Sequence, residues 1–94
     1  MAANHDETFR LTQEARDGVT AVVDALHSLK LPHLAGIVYP VCHPEFPACE
    51  QDALTRLETL RFMLKTKPHV MAQVDPLMNR AESILRYDVQ RKVA

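Results

Sequence analysis

The chain has 94 residues, of which 47% are hydrophobic and 24% charged, with a formal net charge of −1. That length supports one domain with a modest core, and the composition excludes wholesale disorder and the strongly basic balance of a dedicated DNA binder. The near-neutral total hides an asymmetry: residues 1–52 carry eight acids and three bases, and residues 53–94 carry eight bases and four acids. Two such halves either attract one another within the monomer or steer a charged partner.

The first segment, MAANHDETF, has acids where a targeting peptide places lysine or arginine, and no apolar stretch follows it. The longest stretch free of Asp, Glu, Lys and Arg, Leu31–Pro44, is too short to span a membrane and contains three prolines and two histidines. A cytoplasmic location is the expectation. Residues 1–5 read as a flexible arm. Asn4 with Glu7, or Asp6, can cap a first helix running to about Leu29. Its apolar positions Leu11, Ala15, Val19, Val22, Val23, Leu26 and Leu29 recur at three- and four-residue steps, the spacing of a helix buried on one side. Arg10, Glu14, Asp17 and Asp24 fall on the opposite face, and Gly18 weakens the middle.

Residues 30–47, with four of the six prolines, form a connector. Pro32 can open a short helix that Pro40 closes after Val38 or Tyr39, and the rest reads as a stiffened loop over the bundle. Ile37–Val41 also suits a strand, but a lone strand has nothing to pair with, so the short helix is preferred. A second long helix is expected over Ala48–Thr66, with Ala53, Leu57, Leu60 and Leu64 as its stripe and an Asp52–Arg56 pair outside. Lys67–Pro68 ends it, because the proline ring disfavours helical geometry at the preceding residue.

The last helix spans about Pro68–Arg91. Val70, Val74, Leu77, Ala81, Ile84 and Asp88 form one row, and Met71, Met78 and Leu85 a second, giving a face broad enough for two neighbours. Pro76 either starts a new helix capped by Asp75 or bends a single one; the unbroken register favours the single helix. The short Lys67–Pro68 junction folds the last two helices into a hairpin, and the first helix packs into its groove. The fold expected is all-α: a small antiparallel bundle of three long helices, with a proline-rich loop or short helix between the first two.

The chemistry inventory is thin. Gly18 and Gly36 are the only glycines, too few for a phosphate-cradling loop. Ser28 and Ser83 are the only serines, and both lie in expected helices rather than in a strained nucleophile turn. No constellation with assignable catalytic roles is present, so the chain reads as a non-enzyme with no cofactor. Cys42, His43 and Cys49, with His33 nearby, contain zinc-binding residue types but lack paired C-x-x-C knuckles; a Cys42–Cys49 disulfide or two ordinary thiols are the other readings.

Phe62 falls roughly 160° from the centre of its helix stripe at 3.6 residues per turn, among Thr55, Glu58, Thr59 and Thr66. It is covered by the Leu31–Pro47 segment, exposed, or an anchor for a partner. Arg80, Tyr87 and Arg91 share one edge of the last helix, a surface suited to acidic proteins or phosphates; Arg91 and Lys92 also answer the helix dipole without any ligand. The leading expectation is a protein-interaction module, a small regulator, adaptor or inhibitor that binds a protein partner or self-associates as a homodimer. A nucleic-acid-binding regulator using the basic half, and a zinc- or redox-responsive helical protein, are the alternatives.

Overall fold

The computed structural model describes residues 11–43, 45–46 and 48–93, and every regular element among them is helical. The elements are α1 (Gln13–Ser28), α2 (Pro32–Cys42), α3 (Glu50–Met63) with a 3₁₀ turn at Leu64–Thr66, and α4 (Pro68–Val93). The principal contacts join α1 to α2 and α4, and α3 to α2 and α4, so the four helices close a ring. Side-chain bonds give their directions. Thr12 before α1 reaches Asp88 near the end of α4, and Arg16 near the start of α1 reaches Val41 and His43 at the end of α2. Arg61 late in α3 reaches Asp75 early in α4. Arg56 in the middle of α3 reaches Ile37 in the middle of α2. Neighbouring helices in the ring are antiparallel.

The short helix expected from Pro32 between the first two long helices forms, but it runs further and packs more deeply than expected. The residues between α1 and α3 supply a full member of the ring, with Leu34, Ala35, Val38 and Val41 buried in the core. For the same reason α1 does not lie in the α3–α4 groove; it packs chiefly on α2 and α4. Pro40 does not close α2, which continues to Cys42. A proline inside a helix removes the bond to the carbonyl four residues back, here that of Gly36. Gly36 is exposed, so water can bond that carbonyl, while Val38 and Val41 on the other face bury completely.

The start of α1 also differs. Thr12 is its N-cap: the hydroxyl accepts from the Ala15 amide at 3.1 Å and donates to the Asp88 carboxylate at 2.7 Å. The caps anticipated at Asn4 and Asp6, and the arm at 1–5, lie outside the described residues. Its far end is a left-handed turn at Lys30 (φ 63°), with Lys30 N–H donating to His27 O and Leu31 N–H to Leu26 O. This six-to-one, five-to-two pattern normally uses glycine. The expected Asp52–Arg56 pair does not form; Asp52 accepts from the Cys49 amide and Arg56 bonds Ile37 O.

The last helix is continuous through Pro76, as the register required. Lys67 and Pro68 mark the α3–α4 corner, where the 3₁₀ turn ends with Lys67 N–H donating to Leu64 O at 2.9 Å. The interior is aliphatic. Leu26, Leu57, Leu60, Leu64, Met78 and Leu85 are its largest fully buried side chains, each worth about 1.5–3 kcal/mol of transfer free energy. Every described aromatic side chain is half-buried or exposed.

Three charged residues enter this interior. Arg16, 5% exposed, donates to Val41 O at 3.0 Å and His43 O at 2.7 Å. Those carbonyls close the negative end of α2, where a cation is favoured. Glu50 is paired with Lys92, and Asp88 accepts from Thr12 and Arg91. No buried side-chain nitrogen or oxygen among the described residues is left without a partner.

Two outcomes follow. Replacing Arg16 with methionine keeps much of the volume but strips both carbonyls of their donor, and thermal unfolding should show a loss of roughly 2–4 kcal/mol. Gly36→Ala should act the other way, raising stability by about 0.5–1 kcal/mol, because no neighbouring atom lies within 4 Å of the added methyl.

Candidate functional site

The surface of α4 has two edges. Asp75, Asn79 and Glu82 face α3, where the Arg61 guanidinium bonds Asp75, Asn79 (3.1 Å) and Glu82 (3.0 Å) together. Ala81, Ile84 and Asp88 face α1, where Gly18 permits the closest approach: a methyl at Gly18 would stand 3.4 Å from the Ala81 Cα. By helical rotation, Arg80, Tyr87 and Arg91 stand on the α1-side edge, all exposed. Tyr87 is 62% exposed with the Arg91 guanidinium 5.9 Å from its ring centroid, and Arg91 also lies 3.4 Å from Asp88. The Arg80 side chain forms no ion pair or hydrogen bond with another described residue.

Phe62 belongs to a different surface. It is 66% exposed on the outer face of α3, among exposed Thr55, Glu58, Thr59 and Thr66, and beyond the Arg61 cluster from the Arg80–Tyr87–Arg91 edge. The segment between α1 and α3 does not cover it, because that segment is occupied as α2. Lys65 lies over the ring at 5.3 Å, and exposed Met63 adjoins it. The expected partner-binding residues therefore form two patches.

The zinc and redox candidates do not come together. Cys42 is half-buried on the last turn of α2, His43 is exposed with its ring edge-on to Tyr39 at 6.5 Å, and Cys49 caps α3. Both cysteines are free, and no cluster of three or more His, Cys, Asp or Glu able to hold a metal forms among the described residues. Burial pushes the Cys42 thiol above its ordinary value; the Thr20 hydroxyl lowers it, the Asp24 charge raises it and Arg16 lowers it, in decreasing order. Burial prevails because it penalises the thiolate directly.

Sequence reasoning missed two features. Phe46 packs under the Arg56 guanidinium at 5.5 Å and, with Tyr39, Pro40, His43 and Glu45, lines an open apolar groove of about 440 Å³. A second groove of similar volume lies at the α3–α4 corner, lined by Leu64, Pro68, Met71, Ala72 and Pro76. The first exists because α2 continues past Pro40, which the proline pattern concealed. The second follows from the Lys67–Pro68 corner and the Met71 row, both visible in the sequence.

The basic half is partly committed internally. Arg61 and Lys92 are ion-paired, Arg56 is bonded to backbone, and Arg80, Arg86, Lys65 and Lys67 remain exposed. Among the described residues no helix is long and apolar enough to cross a membrane. Compared with protein-family models, curated proteins and solved structures, the chain matches none. What the fold and surface define is a small all-helical protein in which Tyr39, Phe62 and Tyr87 are exposed.

The Cys42 shift has a measurable result. A thiol whose folded pKa is raised stabilises the fold fully below its unfolded value, about 8.5, and loses that contribution as pH climbs through the folded value. Alkylation of Cys42 at pH 8, read by mass spectrometry, should run several-fold slower in the folded chain than in denaturant, and Cys42→Ala should lessen the stability lost above pH 9.

Proposed function

We propose that this chain is a non-enzymatic protein-interaction module, a small regulator or adaptor that presents rigid helix faces to a protein partner. One observation carries the reading: the aromatic side chains of Tyr39, Phe62 and Tyr87 stand exposed at fixed helical positions, while the fully buried side chains of the described residues are aliphatic. Phe62 and Tyr87 are each more than three-fifths exposed, and each has a cation from its own helix region near its ring. Aromatic side chains on a rigid backbone lose little entropy on association, and aromatic and arginine side chains are enriched at the energetic centres of protein interfaces. A single exposed apolar side chain is ordinary on any protein. The support here comes from Phe62 and Met63 being consecutive large apolar residues that are both exposed on α3.

The nucleic-acid reading has less support, because four of the eight cations of the basic half are bonded to described protein groups. The zinc or redox reading has less support, since Cys42, His43 and Cys49 form no metal-holding cluster among the described residues.

Affinity capture with the intact chain, followed by mass spectrometry, tests the proposal. Phe62→Ala should fold with stability within about 0.5 kcal/mol of the parent, given its exposure. It should lose a captured protein through a weakening of about 30-fold, the effect of a hot-spot aromatic worth about 2 kcal/mol. Capture of the same proteins, in the same amounts, by parent and variant would reject this face as the interface.

A further inference from the structure

The seam between α1 and α4 holds two complementary surfaces side by side. Its register is fixed by Thr12 against Asp88 and by Gly18 against Ala81 and Ile84. Because Gly18 faces α4 while Arg16 and Thr20 face α2, the solvent arc of α1 centres on Asp17. That arc carries Glu14, Asp17 and Asp24, all exposed, with Ala21 and Ala25 toward the seam. Across the seam, the edge of α4 carries Arg80, Tyr87 and Arg91, with Ile84 half-buried beside them. The acidic and basic arcs do not neutralise each other within one chain. Among the described residues Glu14, Asp24 and Arg80 form no ion pair, Asp17 is bonded to Gln13, and Arg91 approaches Asp88 of its own helix.

We propose that a second copy of this chain docks on the seam, about a twofold axis parallel to the helices. Such an axis sets α1 of each copy on α4 of the other. In the register set by Thr12 with Asp88 and Gly18 with Ala81, Arg80 of each copy then lies at a level between Asp17 and Asp24 of the other, and the small side chains Ala21 and Ala25 let the two helices approach there. Charge complementarity selects this occupant. An unrelated partner would need both signs laid out in the reverse order, whereas a copy of this chain has that layout by symmetry. The alternative axis, perpendicular to the helices, would place acid on acid. The proposal rests on the reading of the chain as an interaction module and gives it one partner, through a surface separate from Phe62.

Sedimentation equilibrium of the purified chain at low salt tests it. The parent should sediment as a dimer that weakens as salt rises, since exposed charge pairs are screened. Arg80→Glu with Arg91→Gln, and separately Asp17→Lys with Asp24→Lys, should each be folded by circular dichroism and monomeric, with dimer affinity reduced about a hundredfold by like charges. An equimolar mixture of the two should dimerise, because acid again meets base at both contacts. A monomeric parent, a variant that still dimerises alone, or a mixture that stays monomeric overturns the proposal. If a reversed chain does not fold, the milder Asp17→Asn and Arg80→Gln are read instead: about tenfold weakening by each supports the seam, and unchanged affinity overturns it. A monomeric parent that still captures a protein through Phe62 would remove self-association and leave the interaction reading standing. A dimeric parent that captures nothing through Phe62 would do the reverse.

Discussion

A guanidinium removed from water must find acceptors, and the demand of Arg16 for them fixes how α1 and α2 meet. The carbonyls that satisfy it, at Val41 and His43, exist in that position because α2 runs on past Pro40 and ends beside the first turn of α1. With α2 held there, Leu34, Val38 and Val41 close the side of the core that α3 and α4 leave open. The neighbouring bonds from Thr12 to Asp88 and from Lys92 to Glu50 secure the remaining helix ends at the same end of the ring. Apolar burial supplies most of the stability, and these polar contacts select which helices adjoin.

The division of labour explains what the sequence disclosed. The stripes of α1, α3 and α4 were legible because burial imposes a 3.6-residue period on any helix packed on one side. Asp88 stood in register with Ala81 and Ile84, which placed a carboxylate in the core before any partner was known. Arg16 and Glu50 carry the same signal: Arg16 lies seven residues from Val23, and Glu50 three and seven from Ala53 and Leu57. A charged residue in phase with a stripe shows its position but not the acceptor that makes burial tolerable, because that acceptor comes from elsewhere in the chain. The short helix opened by Pro32 was legible, but its continuation past Pro40 was not. Local propensity argues for a stop there, and the decision belongs to tertiary packing, with the lost bond turned to the wet side. As for the surface, Phe62 and the Arg80–Tyr87–Arg91 edge were visible as positions on a wheel, but their separation by the Arg61 cluster required the ring to be assembled.

The opposed charges of the two halves are used unevenly. The Lys92–Glu50 pair joins them directly, whereas Arg61 finds its acids within its own half. Internal compensation is therefore partial, and Glu14, Asp17 and Asp24 are left facing water on one helix beside Arg80 on the next. Surplus of both signs on adjoining faces governs encounters between molecules more than it governs folding.

The corner at Lys67 and Pro68 bears on how copies of the chain can associate. Were α3 and α4 free to straighten through their 3₁₀ turn, they would fuse into one rod, and two chains could trade hairpins to rebuild their cores from mixed halves. The proline at 68 disfavours helical geometry at Lys67, whose φ of −131° departs from it. Straightening would also take Arg61 away from its own Asp75. Domain exchange at this corner is thereby obstructed, and a pair of molecules meeting through their surfaces can part again with both cores intact.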